Sequence, residues 1–501
     1  SGGNQALANQ TRLLFLDGMK NRSTSELCEL LAHADQRIRL DAQYELAERG
    51  VSVIRDLSLV LRHSQHQLQR IHCIWALDQI ASTSKKHAGV GAYLIPYLND
   101  QDQEMRAQAA KALDQNWGDD SLTHSLKPLL EDESLRVRFF AAQSLGKLGH
   151  KDAASWILEM IEANADQDLY LRHAGVTALA RIGNQEALSA ASSHDSLSVR
   201  MAVLLAWRQT SNPSIARFLT DADPLIVVEA ARAINDAPIE DAMPSLAALS
   251  SKLTPTALES TTAPDADLVT PTLRRVINAH FRLGSDQNAK SLTAVALNEA
   301  IPISIRAEGL QLLGEWGDPS VRDKVTGLYR PVASRSKDAS VNALKPHIET
   351  LLNHSETRIA ESTASALGRL QYQDSAAQLA AIVGDLSRSE GLRVEALRAL
   401  ALIEAPQLAE AIAAIQHDFN VRLRREATRI QASTDPLAAA PQLNAVLENG
   451  TIAEQQTALS SLASIPGSVA DEIILNWMKK WSNGEAPVEI GLDIVDAAES
   501  R

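Results

Sequence analysis

Along most of this chain apolar residues recur every three to four positions, and short polar turns separate the apolar stretches. One register repeats: an apolar–Arg pair, a small residue three further on, a large apolar residue four beyond that, and often glycine. It reads Ile38-Arg39, Ala42, Leu46, Gly50; Met105-Arg106, Ala109, Leu113; and Val137-Arg138, Ala141, Leu145, Gly149. It returns at Leu171-Arg172, Val199-Arg200, Ile305-Arg306 and Leu392-Arg393. Apolar residues at i, i+4 and i+7 form one stripe on an α-helix. Arginines 106 and 138, 138 and 172, and 274 and 306 are 32, 34 and 32 residues apart. A period of this size predicts stacked helical hairpins.

Each repeat is expected to hold an outer helix A, a short turn, and an inner helix B carrying the register. In the fourth unit helix A covers 121–130, the turn is Glu131-Asp132-Glu133-Ser134, and helix B covers 135–148. Ala141 permits close helix approach, Leu145 fills the seam between hairpins, and Gly149 suits a left-handed helix end. Helix B is expected near 37–49, 68–81, 104–116, 135–148, 169–182, 197–209, 225–235, 272–283, 303–316, 357–370, 391–403 and 421–432. A degenerate last pair follows 452. The fold class is therefore all-α, an α–α superhelix of about 12–13 helical hairpins. Val227 and Ala360 stand where other units place arginine.

The expected organisation is a lead-in at 1–23, repeats over 24–250, a Thr/Pro/Ala-rich linker or insertion at 251–271, and repeats over 272–329. A basic, Ser-rich insertion at 330–346 follows, then repeats with a C-terminal cap over 347–501. Such insertions are either tolerated surface loops or the rim of a binding face.

Composition narrows the function classes. Hydrophobic residues make up 45% and charged residues 22%, a core-forming balance, and aromatics only 4%. A net charge of −14 disfavours nucleic acid as a partner, because binding its backbone needs a concentrated basic face. Cys28 and Cys73 share no C-x-x-C unit and lie in apolar helical stretches, where a thiol acts as a small hydrophobe. No apolar run approaches the ~18 residues that span a bilayer. The start, Ser1-Gly2-Gly3, reads as a tag remnant or an internal cut from a longer protein, with no signal peptide.

The strongest polar pattern is a ladder of Arg39, Arg106, Arg138, Arg172, Arg200, Arg306 and Arg393. Turn acids such as Asp35, Asp102, Asp132, Asp168 and Asp195 are expected to cap helix B, while the guanidinium bonds carboxylates or carbonyls of the adjacent unit. His33, His63, His194, His354 and His417 each end a helix A; a residue found once per repeat does not converge on one metal. His63, His66 and His72 have no Cys or Glu at ligand spacing. Asp100, Asp102 and Glu104 lack the glycine and distal glutamate of a calcium loop. There is no G-x-S-x-G, H-E-x-x-H, G-x-G-x-x-G or Walker loop, so no catalytic, cofactor or metal residue is expected.

Aromatics offer one candidate site. Phe139 and Phe140 are adjacent on helix B, so at most one enters the core, and the other is a candidate binding anchor on the concave face. The alternative is that both are packing residues. Trp477 and Trp481 are expected to close the last hairpin.

The segments LLAHADQRIRLDAQYELAERG (30–50) and LEDESLRVRFFAAQSLGKLG (130–149) resemble HEAT repeats in their short bacterial form, and the resemblance covers most of 24–470. The array also resembles the central region of large secreted bacterial proteins that join a dehydrogenase-like β-propeller, HEAT repeats and a cytochrome c domain (the PVC-type haem-binding group). Neither the propeller nor a C-x-x-C-H haem site is in this chain, so no cofactor or catalytic residue carries over. That resemblance implies a periplasmic or cell-envelope spacer or docking region of a multidomain protein. The function expected is a non-catalytic scaffold whose partner is another protein or flanking domains of the same polypeptide. The alternatives are a HEAT-like lyase of the bilin-lyase type and a nucleic-acid-binding repeat protein. The absence of any His-Glu pair disfavours the helical-repeat di-iron hydroxylases.

Overall fold

Helix B begins, in about half of the repeats, on a side chain that takes over a free backbone donor. Asp35, Asp102, Asp168, Asp223, Ser389 and Asn420 each accept a bond from an N–H of the first turn, which no carbonyl of the helix can reach. The computed structural model describes residues 2–83, 85–114, 121–251, 267–416 and 418–501. It forms two compact units, residues 1–239 and 240–501.

In the first unit the B helices are α1 (Gln36–Arg49), α2 (Gln67–Ser82), α3 (Gln103–Ala112), α4 (Leu135–Leu148), α5 (Leu169–Ile182), α6 (Leu197–Gln209) and α7 (Pro224–Asp236). In the second they are α8 (Val269–Leu283), α9 (Ile303–Gly314), α10 (Thr357–Leu370), α11 (Glu390–Ile403), α12 (Val421–Thr434), α13 (Ile452–Ser464) and α14 (Gly491–Glu499). Each is preceded by its helix A, so among the described residues each unit stacks seven hairpins. The count exceeds the expected one because two full hairpins, not one degenerate pair, occupy 436–499. Some A elements are tight 3₁₀ turns: Ile95–Asn99, Lys127–Glu131 and Pro213–Thr220 each carry proline at their start, where a missing N–H costs nothing. Among the described residues there is no strand, only one antiparallel bridge between Arg322 and Tyr329.

The fourth hairpin shows how the register becomes packing. Val137, Ala141 and Leu145 are fully buried, and Gly149 ends α4 with φ +73°. The closest approach is made by Gly146 rather than Ala141: a Cβ there would lie 2.6 Å from the Ala178 Cα of α5. Gly314 against Ala366 (2.8 Å) and Gly368 against Ala399 (2.7 Å) repeat the device in the second unit. Of the tryptophans expected to close the array, Trp477 is buried and bonded to Asn444, while Trp481 is partly exposed beside Gly491.

The two expected insertions fare differently. Residues 252–266 lie outside the described residues, and Val269 already belongs to α8. Residues 330–337 end an ordered strap that begins after α9, whereas Asp338–Leu344 is already helix A of the next hairpin. The strap is pinned by buried polar groups. The Asp323 carboxylate has no exposure and accepts from Asn278 (3.0 Å), Thr326 N–H (2.9 Å) and Val325 N–H (3.0 Å), with Arg282 and Arg330 at 3.4 Å. Among the described residues no helix is long and apolar enough to cross a membrane.

Candidate partner-binding face

The arginine ladder is built from turns that need a cation. Arg106 donates to the carbonyls of Asp100 (2.9 Å) and Gln101 (3.3 Å) in its own A–B turn, and to both Asp132 oxygens in the next repeat (2.7 and 2.9 Å). Arg200 does the same with His194 O, Asp195 O and the Asp221 carboxylate. Arg39 caps His33 O and Ala34 O. The carbonyls thus belong to the same unit and only the carboxylate to the adjacent one, because the guanidinium folds back over the end of its own helix A. Burial raises the Asp132 pKa, but the Arg106 hydrogen bonds, the Ser134 N–H and the Arg106 and Arg138 charges together outweigh it and hold the carboxyl below its ordinary value. Asp132 and Asp195 do not cap helix B; Ser134 and Ser196 occupy the cap positions.

The histidines are turn acceptors. The Nδ1 atoms of His33, His194 and His354 accept the backbone N–H two residues ahead, at 3.0 to 3.1 Å. Asp100, Asp132 and Asp221 fill the same role elsewhere, so histidine and aspartate are interchangeable acceptors here. His63 ends its helix A, but the acceptor of that turn is Ser64. His417 lies outside the described residues. His66 caps α2, and His72 is buried between Arg39 and Gln43. Among the described residues no group of three or more His, Cys, Asp or Glu side chains is placed to hold a metal ion. Asp100, Asp102 and Glu104 are spent on Arg70, the α3 cap, and Gln108 with Arg136. Cys28 and Cys73 are buried free thiols, and burial pushes the Cys28 pKa up to about 11.

With the ladder occupied, the B helices of the first unit still turn aromatic side chains outward, beside exposed apolar residues elsewhere such as Leu16 and Leu59. Phe139 and Phe140 are both half-buried, edge to face with centroids 5.4 Å apart, so neither enters the core fully. Phe139 and Phe140 line a hollow of about 350 Å³ with Leu135, Arg136, Asp168 and Tyr170. Tyr170 is 80% exposed and Leu169 59%. The Phe140 ring carries Arg136 at 5.0 Å and Lys111 of the preceding repeat at 5.7 Å.

A second hollow of about 300 Å³ opens between α1, α2 and α3, lined by Tyr44, Trp75, Asp78, Gln79, Gln108 and Lys111 among others. A polar chain joins the two. The Trp75 indole N–H donates to Gln108 Oε1 (2.8 Å), Gln108 donates to Glu104 (2.6 Å), and Arg136 donates to Glu104 (2.9 Å). Burial, and next the Asp114 charge, push the Asp78 carboxyl up to about 6. Tyr44, Asp78 and Tyr170 carry no signal in the repeat register: Tyr44 stands five residues after Arg39, whereas Tyr170 stands two before Arg172.

The comparisons with known proteins concern the repeats. No curated protein matches the chain. Among solved structures, Kap121p bound to Nup53p is 13% identical over 94% of this chain and 56% of that one, with a TM-score of 0.46. The chain thus spans about half the length of that protein. Yeast importin-beta (Kap95p) is 15% identical over 96% of this chain and 72% of that chain, with a TM-score of 0.38. Residues 91–170, which run from the third hairpin to the start of α5, match the family model of HEAT repeats.

Proposed function

We propose that the chain is a non-catalytic scaffold that binds a protein partner on the B-helix face of residues 1–239. One observation carries this reading: exposed or half-exposed aromatic side chains from α1, α2, α4 and α5 (Tyr44, Trp75, Phe139, Phe140 and Tyr170) share one face. Aromatic side chains supply large contact area at small entropic cost and are enriched at binding hot spots. Arg136 and Glu104 beside them give the polar rim that accompanies such anchors. That the scaffold is the spacer or docking section of a larger, secreted multidomain protein is part of the proposal and rests on the sequence resemblance alone.

The test is photo-crosslinking from benzoylphenylalanine placed at Phe139, and separately at Leu59 on a helix A, in cells that make the protein. A discrete protein adduct at Phe139 that disappears with Tyr170→Ala supports the reading. Adducts only from Leu59, or adducts indifferent to Tyr170→Ala, overturn it.

A further inference from the structure

The hollow between α1, α2 and α3 has a chemistry of its own. Trp75 and Tyr44 stand in it, and the indole is held in place by Gln108 at 2.8 Å and by the His72 ring edge at 4.9 Å. Asp78 also lines it, and its Oδ1 is shut off from water with no hydrogen-bond partner. Two cations lower the Asp78 pKa from nearby, but Lys147 pairs with Asp114 and Lys111 lies over Phe140. One carboxylate oxygen left this way is costly, since a buried polar atom without a partner loses its hydration and gains nothing in return, while the half-buried side chain still borders the hollow.

Two aromatic rings and one carboxylate around a cavity select for a cation with an apolar stem. The ring faces are electronegative and attract an ammonium or guanidinium, and the methylene chain can lie along the indole. An anion would be repelled by Asp78, and a neutral group would leave its charge uncompensated. The volume, about 300 Å³, suits one side chain rather than a folded element. We infer that this hollow receives a lysine or arginine side chain of the protein partner, its charge on Asp78 and its stem between Tyr44 and Trp75. The inference rests on the scaffold reading above and names the partner's chemistry at one position. The high Asp78 pKa agrees with a site whose counter-charge arrives with the ligand. Lys111 is the built-in competitor: it lines the hollow, and its charge already favours the ionised Asp78 carboxylate.

The experiment measures fluorescence anisotropy of a fluorescein-labelled peptide of glycine, serine and lysine, with its N-acetyl-lysine counterpart as control, at neutral pH and physiological salt. The lysine peptide is expected to bind and the acetylated one not. Asp78→Asn is expected to weaken binding about tenfold or more, as loss of a desolvated charge partner does. Glu186→Gln, the same charge change at an exposed site, leaves binding unchanged, and Lys111→Met strengthens it. Trp75→Leu, with the helical circular dichroism intact, weakens it as well. Equal weakening by Asp78→Asn and Glu186→Gln, or no binding of the lysine peptide, overturns the inference. In the latter case an intact Phe139 crosslink leaves the scaffold reading standing; peptide binding without any Phe139 crosslink removes the scaffold reading alone.

Discussion

The Cα of Ala178 stands 2.6 Å from the point where a Cβ on Gly146 would sit. Gly146 comes eight residues after Arg138, and Ala178 six after Arg172. The same offsets place Gly314 against Ala366 and Gly368 against Ala399, so this is a second register laid over the arginine one. Two B helices cross with backbone nearly touching side chain, and no methyl group fits between them. Gly146→Ala is expected to cost about 1–3 kcal/mol, the usual penalty for overpacking. Gly384→Ala, with nothing within 4 Å of its Cβ, should leave stability nearly unchanged. Urea midpoints of the two variants decide this; equal midpoints would refute the crossing as described.

The arginine ladder predicts a steep dependence on burial. Arg393 and Asp418 keep side-chain exposures of only 6% and 7%, and Arg393 also bonds Val383 O at 2.9 Å. Arg393→Met removes the guanidinium from the buried Asp418 carboxylate, which keeps only the Asn420 N–H, and from the Val383 carbonyl, which should cost about 3–5 kcal/mol. Arg37→Met breaks a pair that is 70% exposed on the arginine side and is expected to change little. Chemical denaturation of both variants checks the contrast.

How much of this was legible in the sequence differs by level. The Arg–Ala–Leu register gave the B helices because it reports contacts inside one helix and its immediate neighbours. It could not give Pro213–Thr220 as a 3₁₀ turn or the strap after α9, since neither carries the register. Phe139 and Phe140 were visible as an adjacent pair, yet the binding face was not. Trp75, Gln108 and Arg136 come together only when three helices stack, a relationship between repeats that no single repeat displays. Gly146 could have been found, as a glycine inside a helix that has no turn to make.

Two buried histidines set an acid limit on the fold. His72 donates from Nδ1 to Gln43 (2.7 Å) and accepts from Arg39 at Nε2 (3.1 Å), and burial, with Arg39, lowers its pKa to about 4. His280, between Ser250 and Asn288, is lowered to about 4 by burial. The unfolded chain takes up these protons near the ordinary value of 6.5, and the folded chain resists until about 4. Stability is therefore complete above pH 6.5 and falls as the pH drops toward 4, by up to about 1.4 kcal/mol per pH unit for each ring. His72→Gln combined with His280→Gln should flatten the urea midpoint across that window. An unchanged slope would contradict the neutral assignment.

Asp78 runs the other way. Its folded pKa, about 6, lies above the ordinary carboxyl value of 3.8, so stability is lost as pH rises from 3.8 to 6. Asp114 adds to the shift, and Lys111 and Lys147 oppose it. Asp78→Asn is expected to stabilise the protein at pH 7 by about 1–2 kcal/mol and to leave stability below pH 4 unaltered. Thermal melts at both pH values check this, and destabilisation at pH 7 would refute it.

The strap after α9 depends on Arg335. Its guanidinium lies 3.9 Å from the Trp316 ring centroid and 4.9 Å from that of Phe281, and it donates to Trp316 O (3.1 Å) and Phe281 O (2.6 Å). It thereby satisfies carbonyls at the ends of two successive B helices while its planar face stacks on an aromatic ring. Lysine keeps the charge but has neither the fork nor the flat face. Arg335→Lys is therefore expected to be nearly as damaging as Arg335→Met, each costing about 2 kcal/mol from two lost carbonyl bonds and the stack. Gly284, at φ +69°, sits directly under the guanidinium, so Gly284→Ala both strains its backbone and displaces Arg335. Limited proteolysis reads the result: cleavage between residues 315 and 337 should appear first in all three variants. An Arg335→Lys protein that resists protease as well as the parent would show that charge alone holds the strap.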